Sequence, residues 1–148
     1  MILRRETVVP AAPEEVWEVV SDPEQLPRWW PGVTRVEEAT PEAWSIVLRA
    51  PRGKTIRVDY TRLETVEGER LEWRQELAGS PFERILASAL TTIALAPADE
   101  AGTRVVIDLN QQPRGWARLA PLQFRTAAAR QVQGAVDGLE ALFGEPQP

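Results

Sequence analysis

From Val33 to Gln112, apolar and polar residues alternate in short runs, the period of strands with one buried face. Trp44, Ile46 and Leu48 alternate with Ser45, Val47 and Arg49, and Ile56, Val58 and Tyr60 with Arg57, Asp59 and Thr61. Leu71, Trp73, Gln75 and Leu77 alternate with Arg70, Glu72, Arg74 and Glu76. Turn-forming residues separate the runs at Thr40-Pro41, Pro51-Arg52-Gly53, Glu67-Gly68 and Gly79-Ser80-Pro81. A further strand, about Arg84 to Ala96, turns through Ala98-Asp99-Glu100-Ala101-Gly102 into a last one from Thr103 to Gln112. Links of hairpin length between such runs predict an antiparallel meander.

The flanks have a different period. Residues 2 to 9 read as a strand broken by Pro10, and Pro13 suits the first position of a short helix with Glu14 and Glu15 in its first turn. A second short helix is predicted after Asp22, an N-cap residue followed by Pro23 at the first helical position and Gln25 at the third. Beyond Pro113-Arg114-Gly115 the period becomes 3.6, with a continuous helix from about Pro121 to Phe143, roughly 35 Å long. Phe124, Ala128, Val132, Ala135, Leu139 and Leu142 share one face of it, with Thr126, Arg130, Gln133 and Asp137 opposite. Gly134 and Gly138 flank the apolar face, where each costs about 1 kcal/mol relative to Ala, so close backbone packing is expected there. The order is strand, two short helices, six antiparallel strands, long helix. Only the last helix is long enough to cover such a sheet, so the fold expected is α+β, a curved seven-stranded antiparallel sheet gripping a long C-terminal helix.

Composition narrows the chemistry. The chain of 148 residues is 43% hydrophobic and 26% charged, ordinary values for one globular domain spanning 1–148. Its net charge of −5 is spread along the chain without a basic block, which leaves little support for a nucleic-acid partner. Sixteen of its seventeen cations are Arg, a skew that suggests a GC-rich bacterial coding style. There is no Cys and no His, which excludes disulfides, Cys nucleophiles, Ser-His-Asp triads and thiolate or imidazole metal sites. No spacing supports an all-carboxylate site, so neither metal nor cofactor is expected. No apolar run is long enough to span a bilayer and the N-terminus carries no secretory h-region, so a cytoplasmic location is expected, as monomer or weak homodimer.

Three stretches and their order resemble a known family. They are Ala12-Pro13-Glu14-Glu15-Val16-Trp17, then Asp22-Pro23-Glu24 leading to Trp29-Trp30-Pro31-Gly32-Val33, then Gly102-Thr103-Arg104-Val105 followed by Gly115 and the closing helix. In these the chain is similar to the START-like, or SRPBCC, superfamily of polyketide cyclases/dehydrases and lipid-transport proteins, whose helix-grip fold the resemblance implies over essentially the whole length. The same scaffold hosts carriers, cyclases, quinone-binding proteins and chaperone activators, so function rests on the cavity.

Two features point to a cavity beside the N-terminal half of the long helix. Between Pro121 and Gln131 its apolar face thins to Phe124 and the small Ala128, with Arg125 and Gln131 at the margins. On the strand from Arg84, the row Ala87, Ala89 and Thr91 is also small. These residues either leave a void or let helix and sheet pack closely; family members enclose a void, and such pockets measure about 300–1,000 Å³. Tyr60, Gln75, Gln111 and Arg125 fall on or beside inward faces and are candidates to hold a ligand's oxygens, Arg125 by pairing a carboxylate or polarising a carbonyl. Trp73, Phe124, Ala128 and Thr91 are candidate lining residues. Trp29 stands either as a lid across the mouth from Arg125 or, like Trp30, as an anchor for the short helices.

Three functions are compatible with this sequence. The first is a carrier of a small apolar ligand such as a lipid, isoprenoid or polyketide-like molecule. The second is a metal-free aromatase/cyclase or dehydratase, for which Arg125, Tyr60 and an acid such as Asp108, on an outward face, are the available groups. The third is an interaction module of the ribosome- or chaperone-associated type, which an exposed apolar patch would favour and the charged outward strand faces disfavour.

Overall fold

The structure, a computed structural model, describes residues 1–49 and 52–144. Strand β1 (Ile2–Val9) gives way to helix α1 (Pro13–Val20), which has Pro13 at its start and acids in its first turn, and buries Val16, Trp17, Val19 and Val20. The next helix is of the 3₁₀ type, Pro23–Arg28, opened by the Asp22 carboxylate accepting the Glu24 N–H at 3.0 Å. Pro27 inside it has no N–H to donate, which removes the bond an α-helix would need there.

Six strands follow: β2 (Val33–Glu37), β3 (Ala43–Arg49), β4 (Thr55–Val66), β5 (Arg70–Glu76), β6 (Leu86–Pro97) and β7 (Thr103–Pro113). Every pair is antiparallel, in the order β1-β7-β6-β5-β4-β3-β2, so β1 closes the meander beside β7 with Leu3 opposite Leu109 and Val9 opposite Thr103. A 3₁₀ turn, Gly115–Leu119, leads into α2 (Pro121–Phe143). The buried face of α2 is Ala128, Val132, Ala135, Val136 and Leu139. It joins one hydrophobic cluster with Ile46, Leu71, Ile93 and Ile107 of the sheet and Val16 and Val20 of α1. Thr7 of β1 donates to the Glu140 carboxylate at 2.8 Å, fixing the far half of α2 to the first strand.

The two helix glycines have the close neighbours that their cost implied. A Cβ at Gly134 would meet the Pro31 ring at 3.0 Å, and one at Gly138 would run into the backbone carbonyl of Trp29. The segment Trp29-Trp30-Pro31 is thus seated on α2, and Trp29 and Trp30 are 3% and 4% exposed, stacked edge to face at 5.4 Å. Both act as anchors. The lid alternative for Trp29 is set aside because its side chain is buried in the core.

Two sequence expectations are corrected here. The strand expected from Arg84 starts at Leu86, and the register shifts between Leu86 and Ser88. That bulge turns Leu86 inward and leaves Ala87 exposed, so the small row reduces to Ala89 and Thr91. Of the Pro51-Arg52-Gly53 turn, Pro51 lies outside the described residues, while Gly53 takes the positive φ of +80° that a tight link to β4 requires.

Candidate functional site

Between the N-terminal half of α2 and the sheet lies a cavity of about 490 Å³. The alternation of β4 points Ile56, Val58 and Tyr60 into it while Arg57 and Asp59 turn outward to pair with each other at 3.3 Å. Phe124, Ala127, Ala128 and Gln131 of α2 form the opposite wall. Leu48 of β3, and Phe82, Ile85 and Leu86 where the chain enters β6, close the sides. Leu86 takes part because of the bulge.

The polar groups of this wall are arranged by strand register. Tyr60 lies opposite Trp44 on one side and Gln75 on the other; Ala89 lies opposite Gln111. Since Arg74 pairs with Leu90, the same ladder carried one step further brings Gln75 level with Ala89. Tyr60, Gln75, Ala89 and Gln111 therefore form one row across four strands, with Ala89 as a gap. Among the described residues none of the three polar side chains makes a hydrogen bond, although Tyr60 and Gln111 are only 7% and 8% exposed. Their polar atoms are not sealed in the core but face the cavity, where water or a ligand can meet them.

Behind Tyr60 sits an aromatic cluster. Trp73 meets Tyr60, Trp44 and Trp30 at centroid distances of 6.3, 5.6 and 5.6 Å, and Tyr60 stacks on Trp44 at 6.1 Å. These rings fix the phenol from one side. Burial raises the Tyr60 pKa well above the usual phenol value, so the group is a neutral O–H donor at any physiological pH. Below about pH 10 folded and unfolded chains both hold this proton. Above it only the unfolded chain releases it, so stability falls as pH rises. Tyr60 is the one tyrosine of the chain, so phenolate absorbance reports on it alone. Its appearance is expected to coincide with alkaline unfolding; a folded protein showing phenolate near pH 10 would contradict the burial.

Tyr60, Gln75, Gln111, Phe124 and Ala128 are thus brought together by the fold, and four other candidates are not. Trp73 is buried in the ring cluster, and Thr91, opposite Trp73 on β6, is buried beside it. Trp29 is held against Gly138. Arg125 is exposed and outside the lining. At about 100° per residue, Gln131 and Arg125 stand about 60° to opposite sides of Ala128, and the cavity lies on the Gln131 side. For the same reason Arg130, expected opposite the apolar face, reaches the cavity edge. Among the described residues, Arg130 and Arg49 are the only charged ones of the lining. Asp108 is committed outside, accepting two hydrogen bonds from Arg4 at 2.7 and 3.0 Å.

A second cleft, about 590 Å³, lies on the outer surface where Asp22 meets β4. Its acids Asp22, Glu24, Glu42 and Glu67 surround Arg62, whose guanidinium donates to the Ser21 carbonyl and lies 5.5 Å from the Trp44 ring. Arg62 is therefore committed to the fold, and the apolar cavity is the better candidate site. Among the described residues there is no group of three His, Cys, Asp or Glu placed to hold a metal ion, and no helix is long and apolar enough to cross a membrane.

The sequence matches, over residues 2–144, the model of a family described as polyketide cyclase/dehydrase and lipid transport. No curated protein matches. Among solved structures, a START superfamily protein from Mycobacterium smegmatis superposes with a TM-score of 0.75 at 14% identity, covering 96% of each chain. The di-domain ARO/CYC StfQ from the steffimycin biosynthetic pathway gives 0.76 at 15% identity, over 96% of this chain and 50% of that one. Ara h 8.0201 gives 0.74 at 18% identity, over 97% of both. At these identities the likeness is one of fold.

Proposed function

The chain belongs to the polyketide cyclase/dehydrase and lipid transport family, and from that premise we propose that it carries a small, mostly apolar molecule bearing one or more carbonyl or hydroxyl oxygens. The observation that carries this reading is the row Tyr60, Gln75 and Gln111, three neutral side chains without hydrogen-bond partners among the described residues, on the wall of a mostly apolar cavity that Gln131, Arg49 and Arg130 complete. Apolar walls supply affinity and a few such groups fix orientation. The reading uses no metal, cofactor or nucleic acid, and it treats the chain as a single cytoplasmic domain working as monomer or weak homodimer.

A matched pair of probes tests it: a long-chain ketone and the alkane of the same length. The native protein is expected to take up both at one per chain and to prefer the ketone. Gln75→Leu or Gln111→Leu should each remove about 0.5–1.5 kcal/mol of that preference while leaving the alkane unaffected. If neither probe binds, the cavity carries no apolar cargo.

A second reading, cyclase or dehydratase, is favoured by one observation. The Tyr60 ring is buried while its neutral hydroxyl lines the cavity without a protein partner among the described residues, so it suits an enolate oxygen as hydrogen-bond donor. Against it, among the described residues the lining contains no carboxylate and no other base; their ionisable groups there are Tyr60, Arg49 and Arg130. Turnover of a poly-β-carbonyl thioester, lost in Tyr60→Phe, would establish catalysis.

A further inference from the structure

The three most exposed large apolar side chains among the described residues fall within seven positions: Trp116 at 66%, Leu119 at 87% and Leu122 at 75%. Trp116 and Leu119 stand three residues apart in the 3₁₀ turn, where such positions share one face, and Leu122 follows in the first turn of α2. The chain's other five tryptophans are all buried. Three large apolar side chains exposed so close together in the chain are unusual for a surface with no partner.

The charge on this stretch is as uneven as its polarity. Between Asp108 and Asp137 the sequence has no acid and four arginines, Arg114, Arg118, Arg125 and Arg130, in a chain whose net charge is −5. Among the described residues none of the four is in an ion pair. The stretch is also held in place: the Arg114 N–H donates to the Ile85 carbonyl at 2.8 Å, and a Cβ on Gly115 would meet the Arg84 carbonyl at 3.0 Å. Its far end is the cavity wall, since Phe124, Ala127 and Arg130 line the cavity.

We propose that the face formed by residues 114–125 docks on an anionic lipid surface, seating Trp116, Leu119 and Leu122 among the headgroups beside the cavity mouth. It deepens the carrier reading, on which its purpose rests: cargo would pass from bilayer to cavity without crossing open water. Charge complementarity selects an anionic partner. A second copy of the chain is disfavoured because a symmetric contact would set these arginines against their own counterparts. An acidic protein would need a shaped surface to fit. Here three apolar side chains on one short segment form a small patch, which suits a fluid interface that conforms to it.

Flotation with vesicles tests this, using phosphatidylcholine alone or equimolar phosphatidylcholine and phosphatidylglycerol. The native protein is expected to float only with the mixed vesicles, less so as salt rises, with a blue shift in emission as Trp116 leaves water. Arg118→Ala and Arg125→Ala should each weaken binding about fivefold. The double variant Leu119→Glu, Leu122→Glu should abolish it without changing the melting temperature. Arg104→Ala, on the outward face of β7, should have no effect. Failure of the native protein to float with the mixed vesicles, or flotation of the double variant as native, overturns the proposal, as would capture by a soluble acidic protein in place of the vesicles. Uptake of the ketone probe separates the two readings: a protein that binds it but ignores vesicles loses only the docking face, and one that floats but takes up no probe loses the carrier function.

Discussion

Gly138→Ala is expected to destabilise the protein by more than about 3 kcal/mol, against the sign that helix propensity alone gives. In a free helix the change would stabilise by about 1 kcal/mol. Here the added methyl would coincide with the carbonyl of Trp29, which is backbone and cannot rotate aside. To admit it, α2 must lift from the segment that anchors the short helices, and overpacking that moves backbone costs from 1 to about 3 kcal/mol or more. Gly134→Ala is the internal control. Its methyl would press on the edge of the Pro31 ring at 3.0 Å, a contact that a small shift relieves, so the loss should stay below about 1.5 kcal/mol. Urea unfolding of the two variants checks this. If Gly138→Ala were as stable as native, the close seating of Trp29 on α2 would be wrong.

The pair also shows what a sequence can and cannot convey. The cost of glycine inside a helix is local, so close packing at Gly134 and Gly138 was legible. Their partner was not, because the contact joins segments far apart in the chain and no periodicity encodes it. The buried face of α2 and the inward parity of Tyr60, Gln75 and Gln111 were legible for the opposite reason: periods of 3.6 and 2 fix which side chains share a face. Parity also sets the polar row, once hairpin register lines up the strands.

Arg125 marks where that reasoning stops. Period gives the centre of a helix face and two margins, but not which margin meets the cavity. Arg125 and Gln131 are equivalent by pattern, and only the docking of α2 on β1 and β7 distinguishes them. Ala87 was misplaced by a similar limit. The bulge between Leu86 and Ser88 adds one residue, which reverses the parity of everything before it, and no glycine marks the site. Leu86 and Ile85 thus entered the lining unannounced. The exposed Trp116, Leu119 and Leu122 were hidden differently: no periodicity shows whether an apolar residue in the first turn of a helix, or just ahead of it, is covered.

Ala128→Trp is expected to abolish uptake of a neutral apolar dye such as N-phenylnaphthylamine while preserving the fold. Ala128 is 3% exposed and lines the cavity from the α2 side, so an indole placed there has the 490 Å³ void to enter instead of packed neighbours to displace. Excluding about 120 Å² of apolar contact at roughly 25 cal/mol per Å² is worth about 3 kcal/mol, on the order of a hundredfold in Kd. Ala135→Trp is the contrast. That residue is fully buried on the same helix face but outside the cavity lining, so the same indole would be forced into close-packed core and should unfold the protein. Dye fluorescence measures uptake and thermal melts measure stability, which separates a filled cavity from a broken fold. If folded Ala128→Trp bound the dye with native affinity, the cavity between α2 and the row Tyr60, Gln75 and Gln111 would not be the binding site, and the carrier function would have to be sought elsewhere on the molecule.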